Sequence, residues 1–297
     1  MSALQQKVCG LLGGLSYVAS MEYYRYMNEL VGKEYSGHSS NLTMVSIDTY
    51  DYVDLIQRNE AEKAADYLLT GVERLVKSGI DFLLICSNTA HLVVPLIQQR
   101  YPSLPYLHIG DTTAYEIKKQ KLKKIGFLGT ATSMSINGSV AQRLLAHHID
   151  VVFPSVDDIP TLHQIIINEL SNNIFTEKSK QIYLAAIKQL KDTHQVEGVV
   201  LGCTEIPLLV NQQDVSEISL FDSTRIHELN GKDPSQRGKT ARITTTAREI
   251  VRFCYGQTAD TKSLKFDELN IVLEMKKRHS GGTDHIRAAD GISKEKD

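Results

Sequence analysis

Short, almost wholly apolar runs alternate along the chain with longer stretches whose apolar residues recur at helical spacing. The run at 8–12 reads as a buried strand closed by Gly13-Gly14, with a helix over 20–33 after it. Residues 42–47 are strand-like. Over 60–77, Ala64, Leu68, Leu69, Val72, Leu75 and Val76 follow the period of an amphipathic helix. Residues 81–86 (DFLLIC) form a nearly uninterrupted apolar run, as in a parallel strand covered on both faces. The theme returns with strands predicted over 106–109, 124–129, 150–153 and 198–201, and helices over 138–147, 161–172 and 177–194. Alternating β and α segments predict an α/β fold with parallel sheets.

Composition narrows the function classes. Hydrophobic residues make up 42% of the 297 and charged residues 23%, enough for a sizeable core. Lys and Arg number 33 against 35 Asp and Glu, so there is no bulk attraction to nucleic acid or to a membrane. The four cysteines (Cys9, Cys86, Cys203, Cys254) are scattered and form no CxxC pair, which excludes a disulfide scaffold and a zinc ribbon. Reduced thiols and the lack of a signal-like or spanning segment point to a soluble, cytoplasmic protein. The composition turns polar at 257–297, read as a flexible tail with at most a short helix at 266–275. A polar loop at 230–239 interrupts the last α/β unit.

Two strand ends share one local grammar: an apolar run, a small nucleophile, then polar residues. They are Leu84-Ile85-Cys86-Ser87-Asn88-Thr89-Ala90-His91 and Val200-Leu201-Gly202-Cys203-Thr204-Glu205-Ile206-Pro207. Open α/β sheets bind ligands beyond the carboxyl ends of their strands. Ser87 and Cys203 lie 203 − 87 = 116 residues apart, which suits one such end in each half of a duplicated fold. A cysteine after a buried strand is more often a small core residue than a nucleophile. Here Asn88, Thr89, Thr204 and Glu205 crowd the same strand ends, and such groups need partners when buried. A bound substrate can supply them.

With Gly10-Leu-Leu-Gly-Gly-Leu-Ser16, Tyr23-Tyr-Arg25, Asn88-Thr-Ala-His91, Leu128-Gly-Thr130, Gly202-Cys-Thr-Glu205 and Phe221-Asp-Ser-Thr224, the chain from Lys7 to Tyr255 resembles the aspartate/glutamate racemases. The resemblance implies two similar α/β domains facing a central cleft: 1–109, then 110–212, with 213–256 returning to complete the first. It also implies a homodimer, no cofactor, no metal, and a thiol from each domain flanking the substrate α-carbon. The chemistry needs that arrangement. An α-proton beside an ionised carboxylate is very weakly acidic, so one group must remove it while another donates on the opposite face. N–H groups and hydroxyls then stabilise the enediolate.

The chain departs from this pattern at the first thiol, where Ser87 stands and Cys86 sits one residue earlier. Side chains alternate along an extended segment, so Cys86 is expected to point away from the cleft. The resemblance extends to a branch with a hydroxyl at the first position and a preference for L-substrates. It therefore assigns catalysis to Cys203, on the L-enantiomer, and Ser87, and substrate binding to Ser16, Gln57, Arg58, Asn88, Thr89, Thr130, Thr204 and Glu205. Arg25 and Thr132 are further candidates. Aspartate-specific members carry a lysine where this chain has Ser171, which argues against strict aspartate selectivity.

Other motifs are absent or incomplete. The glycines at 10–14 are not GxGxxG, no P-loop occurs, and adjacent His147 and His148 diverge too far to hold a metal. Two alternatives stay open: a single-thiol decarboxylase or isomerase of the same superfamily, and a non-catalytic amino-acid-binding protein.

Overall fold

The computed structural model describes residues 7–58 and 60–228, which form two four-stranded, all-parallel sheets in tandem. The first has the order β2-β1-β3-β4, built from β1 (Cys9–Gly13), β2 (Leu42–Ser46), β3 (Phe82–Ile85) and β4 (Tyr106–Leu107). The second repeats it as β6-β5-β7-β8, from β5 (Lys124–Leu128), β6 (Asp150–Val152), β7 (Gly198–Leu201) and β8 (Ser219–Asp222). In the first half the helices are α1 (Tyr17–Glu34), α2 (Thr49–Gln57), α3 (Ala61–Lys77) and α4 (Val94–Arg100). After β4 come α5 (Ile109–Lys119), α6 (Ser139–Ala146), α7 (Ile159–Asn168), α8 (Glu177–His194), α9 (Ile206–Leu209) and α10 (Ser223–Glu228).

The apolar runs become central strands because both their faces are covered. Leu11, Leu84 and Cys86 pack on one side with Tyr23, Met27 and Val31 of α1. Leu12, Leu83 and Ile85 pack on the other with Ala64, Leu68 and Val72 of α3. The second sheet has one continuous core, in which Phe127, Val199 and Val200 meet Leu162, Ile166, Ile187 and Leu190.

The predicted helices at 20–33, 60–77, 138–147 and 177–194 form with shifts at their ends. The stretch at 161–172 divides: α7 starts earlier, with Pro160 in its first turn where a missing N–H costs nothing, and a 3-10 turn at Leu170–Asn172 follows. The expected strand at 106–109 shortens to two residues, because the His108 side chain caps α5 by accepting the Gly110 N–H at 3.0 Å.

The expected return segment begins differently from its sequence reading. Residues 219–222 add β8 to the second sheet, pairing in parallel with β7, and α10 then packs against α5 and α1. The rest of that segment, the polar loop at 230–239 and the tail at 257–297 lie outside the described residues. Among the described residues no helix is long and apolar enough to cross a membrane.

Candidate active site

The two halves match in strand register as well as in strand order. Leu12 pairs with Ile85 across β1 and β3, and Leu128 pairs with Leu201 across β5 and β7. The next residue continues each ladder: the Cys86 N–H donates to Leu12 O at 2.9 Å, and the Gly202 N–H donates to Leu128 O at 2.6 Å. Cys86 therefore corresponds to Gly202, and Ser87 to Cys203. At Gly202 an added Cβ would meet the Phe127 ring at 2.1 Å, so this position faces the core. Cys86 fills the matching position as a fully buried thiol. Ser87 and Cys203 each sit two residues beyond a strand end and are partly exposed.

At the Cys203 end, the thiol donates to Glu205 Oε2 at 3.0 Å, and Thr204 Oγ1 donates to the same oxygen. Glu205 is buried. Burial of the sulfur, reinforced by the adjacent carboxylate, pushes the Cys203 thiol well above its ordinary range. The resting sulfur is thus a thiol donating to a buried carboxylate. The nearby Tyr183 phenol is also shifted upward, chiefly by its own burial, and donates to Leu162 O at 2.9 Å.

At the Ser87 end, a 3-10 turn (Thr89–Val93) starts directly after the strand and runs into α4. The Ala90 N–H reaches Ser87 Oγ at 3.4 Å, a long contact. Asn88 is buried: its carbonyl accepts from Ser139 Oγ at 3.3 Å, and its Oδ1 lies 3.1 Å from Ser223 Oγ. Ser223 Oγ also lies 2.9 Å from Leu201 O. One hydroxyl thereby joins the strand ends that carry Ser87 and Cys203. Asn88 Nδ2 is buried with no partner among the described residues. Thr89 and Thr204 are partly exposed beside these groups.

The remaining predicted residues have local roles. Ser16 precedes α1, and its carbonyl accepts from Ser20 Oγ at 2.9 Å. The preceding Gly14 has φ +97°, and a Cβ there would meet Ile47 O at 2.0 Å, so only glycine suits this turn. Thr130 closes a turn by receiving the Ser133 N–H at 3.3 Å on its Oγ1. Arg58 is exposed and paired with Asp54 at 3.1 Å and Glu60 at 2.8 Å. Such exposed pairs are weak and screened by solvent, so the guanidinium is readily released. The Gln57 side chain lies outside the described residues. Arg25 is engaged by Glu22 and Glu29 on the surface of α1, and Thr132 and Ser171 are exposed.

Beside the Ser87 end lies a buried histidine cluster that the sequence reading did not assemble. His91 meets His108 with ring centroids 4.5 Å apart and His227 at 5.7 Å, and Tyr23 OH bonds His227 Nδ1. Burial lowers all three imidazoles, His91 to about 4 and His108 to about 2. They are neutral at physiological pH. Residues at 88–91, 108 and 227 are far apart in the chain, so no local pattern announces the cluster. Among the described residues, no group of three or more His, Cys, Asp or Glu could hold a metal ion.

Two parallel α/β halves of the same strand order thus place Ser87 and Cys203 at equivalent positions just beyond their third strands. The chain belongs to the Asp/Glu/hydantoin racemase family, whose model matches residues 12–228, and is thus an enzyme of the racemase type. It is 24% identical over 246 residues to a glutamate racemase of Hydrogenobaculum sp. (strain Y04AAS1), covering 75% of this chain and 91% of that one. It is 28% identical over 202 residues to a broad-specificity amino-acid racemase of Bacillus subtilis (strain 168), covering 67% and 83%. The crystal structure of a candidate Asp/Glu racemase from Yersinia pestis is similar, with 37% identity, a TM-score of 0.69, and coverage of 75% of this chain and 96% of that one.

Proposed function

We propose that this chain is a cofactor-independent racemase of aspartate, glutamate or both, with Cys203 serving the L-face and Ser87 the opposite face. The observation that carries the reading is the registered equivalence of Ser87 and Cys203, with Glu205 bonded to the thiol. In the forward direction, Glu205 takes the Sγ proton and the resulting thiolate accepts the α-proton of the L-amino acid. Thr89 and Thr204 are the candidate donors to the enediolate, and Asn88 lines the same end. Ser87 Oγ–H then protonates the opposite face and leaves an alkoxide; Ser87 regains a proton from water, and Glu205 gives up the proton it took to the hydroxide so formed, which restores the resting state.

That last transfer is the slow one, because a serine hydroxyl is a far weaker acid and base than a thiol without an activating neighbour. The enzyme is accordingly biased towards L-substrates. Arg58 and Gln57 are the candidate anchors for the side-chain carboxylate, Arg58 by exchanging Asp54 or Glu60 for substrate. The neutral Ser171 and the broad-specificity relative both support a range wider than aspartate alone. A thiol that must stay reduced suits the cytoplasm, and a homodimer follows from the family resemblance.

Chiral chromatography of L- and D-aspartate and L- and D-glutamate tests this. The wild type should interconvert at least one pair, and Cys203→Ala should lose about 10²- to 10⁴-fold, the usual worth of a positioned acid–base. The presence of a single thiol in the two equivalent positions also suits a decarboxylase. Release of CO2 from substituted malonates, with no interconversion of the four amino acids, would replace the racemase reading with that one.

A further inference from the structure

We propose that His91 is a positioning residue for proton transfer at the Ser87 face, an inference that rests on the racemase reading above. The His91 ring is buried, the Leu107 backbone also faces it, and each of its nitrogens has a close backbone partner. Its Nδ1 lies 2.7 Å from the carbonyl oxygen of Ser87, and its Nε2 lies 3.2 Å from the backbone nitrogen of Ile109. A backbone N–H can only donate, so Nε2 is the acceptor. The ring proton then sits on Nδ1 and is donated to Ser87 O. The tautomer is fixed by the two bonds together, and burial keeps the ring neutral so that Nε2 stays free to accept.

The consequence falls on Ser87. The Cys86 N–H is tied to Leu12 O at 2.9 Å, and the Ser87 carbonyl is tied to His91. The backbone of the reacting residue is thus held on both sides, leaving mainly the rotation of its own side chain. Through Ile109 the same ring fastens the first-half turn to the start of α5, the helix that opens the second half. The groups around His91 are His108, His227, Asp111 and Arg143.

The second half does this job differently. By the registered offset His91 corresponds to Pro207, which has no side-chain donor or acceptor, and Glu205 bonds the Cys203 sulfur directly. One half supports its reacting atom with a carboxylate. The other supports the backbone of its reacting residue with an imidazole. A weak acid–base such as serine depends more heavily on placement, and a 1 Å error can cost about 10²-fold.

Asparagine at position 91 can present an N–H where Nδ1 was, whereas glutamine can present an oxygen where Nε2 was. His91→Asn therefore keeps the bond to Ser87 O, and His91→Gln keeps only the bond to Ile109. Proton NMR in D2O, following α-proton exchange of each enantiomer separately, reads out the difference. His91→Gln should slow D-enantiomer exchange and net racemisation by about 10- to 100-fold while L-enantiomer exchange, carried by Cys203, stays within about threefold. His91→Asn should lie much nearer wild type on the D-side. Added to Ser87→Ala, His91→Gln should have no further effect on D-exchange.

Equal losses for the two enantiomers, or indistinguishable Asn and Gln variants, would overturn the positioning role while leaving the racemase reading intact. A wild type that exchanges none of the four amino acids would overturn both.

Discussion

Ser223 Oγ stands 3.1 Å from Asn88 Oδ1 across 135 residues of chain, and 2.9 Å from the carbonyl of Leu201. One hydroxyl proton cannot serve two acceptors, and Asn88 Nδ2 is buried without a partner among the described residues. Turning the Asn88 amide over resolves both problems. Nδ2 then donates to Ser223 Oγ, which donates onward to Leu201 O, and Oδ1 becomes the open acceptor. Removing Ser223 would leave two buried groups unpaired. Ser223→Ala should cost about 1–3 kcal/mol in urea unfolding and slow exchange of both enantiomers together, because it loosens both strand ends. An unchanged midpoint would show that the bridge is not made in solution.

Ser87 and Cys203 occupy equivalent positions with unequal acid–base strength. Ser87→Cys should restore the missing thiol and raise D-enantiomer exchange by about tenfold or more, with L-exchange little changed. Ser87→Ala should abolish net racemisation yet leave solvent exchange at the L-enantiomer. Separate assays of exchange and optical rotation check both variants.

Glu205 acts on the Cys203 thiol in opposing ways. After burial, its negative charge holds the thiol pKa up, yet its oxygen is where the thiol proton can go. Glu205→Gln should therefore shift the pH profile of Cys203 alkylation downward while lowering the exchange rate at the L-enantiomer. A rate that rises with the freed thiolate would mean that Glu205 is not the proton acceptor.

The buried histidines set an acid limit to stability. His91, lowered to about 4, His108, lowered to about 2, and His227, well below 6.5, all bind protons less readily folded than unfolded. Their contribution is fully present above about pH 6.5 and is lost as pH falls towards those folded values. Asp222, raised to about 6 by burial, works the other way: its contribution is present at low pH and lost as pH rises through about 6. Three groups outweigh one. Unfolding near pH 5 should therefore take up protons, and stability should fall as the solution is acidified below about pH 6.5. Urea midpoints between pH 7 and 5 check the slope, and His227→Phe should flatten it.

The strands that carry the site were legible because they are fully buried apolar runs, and the alternation of side chains correctly sent Cys86 into the core with Leu84. The shorter helices α2, α4, α5, α9 and α10 were not. α5 opens Ile-Gly-Asp-Thr-Thr, residues of modest helix propensity, and is held by the His108 cap and its packing against α6 and α10. β8 is a four-residue strand whose Phe221-Asp-Ser-Thr224 read as a motif, and only pairing with β7 makes it part of the second sheet. The polar crowding at both strand ends was visible in the sequence. The partners were not, because the bonds of Asn88 to Ser223 and of His91 to Ile109 join segments with no shared local pattern.

On the proposed function, Cys203 exchanges the α-proton of an L-amino acid and Ser87 serves the other face less well. Proton NMR in D2O with L-Asp, D-Asp, L-Glu and D-Glu tests it most directly, comparing the wild type with Cys203→Ala and Ser87→Ala. Exchange should be faster at an L-enantiomer than at its D-partner. Cys203→Ala should lose the L-signal and Ser87→Ala should keep it. Exchange equally fast from both enantiomers, or exchange that survives Cys203→Ala, would contradict it.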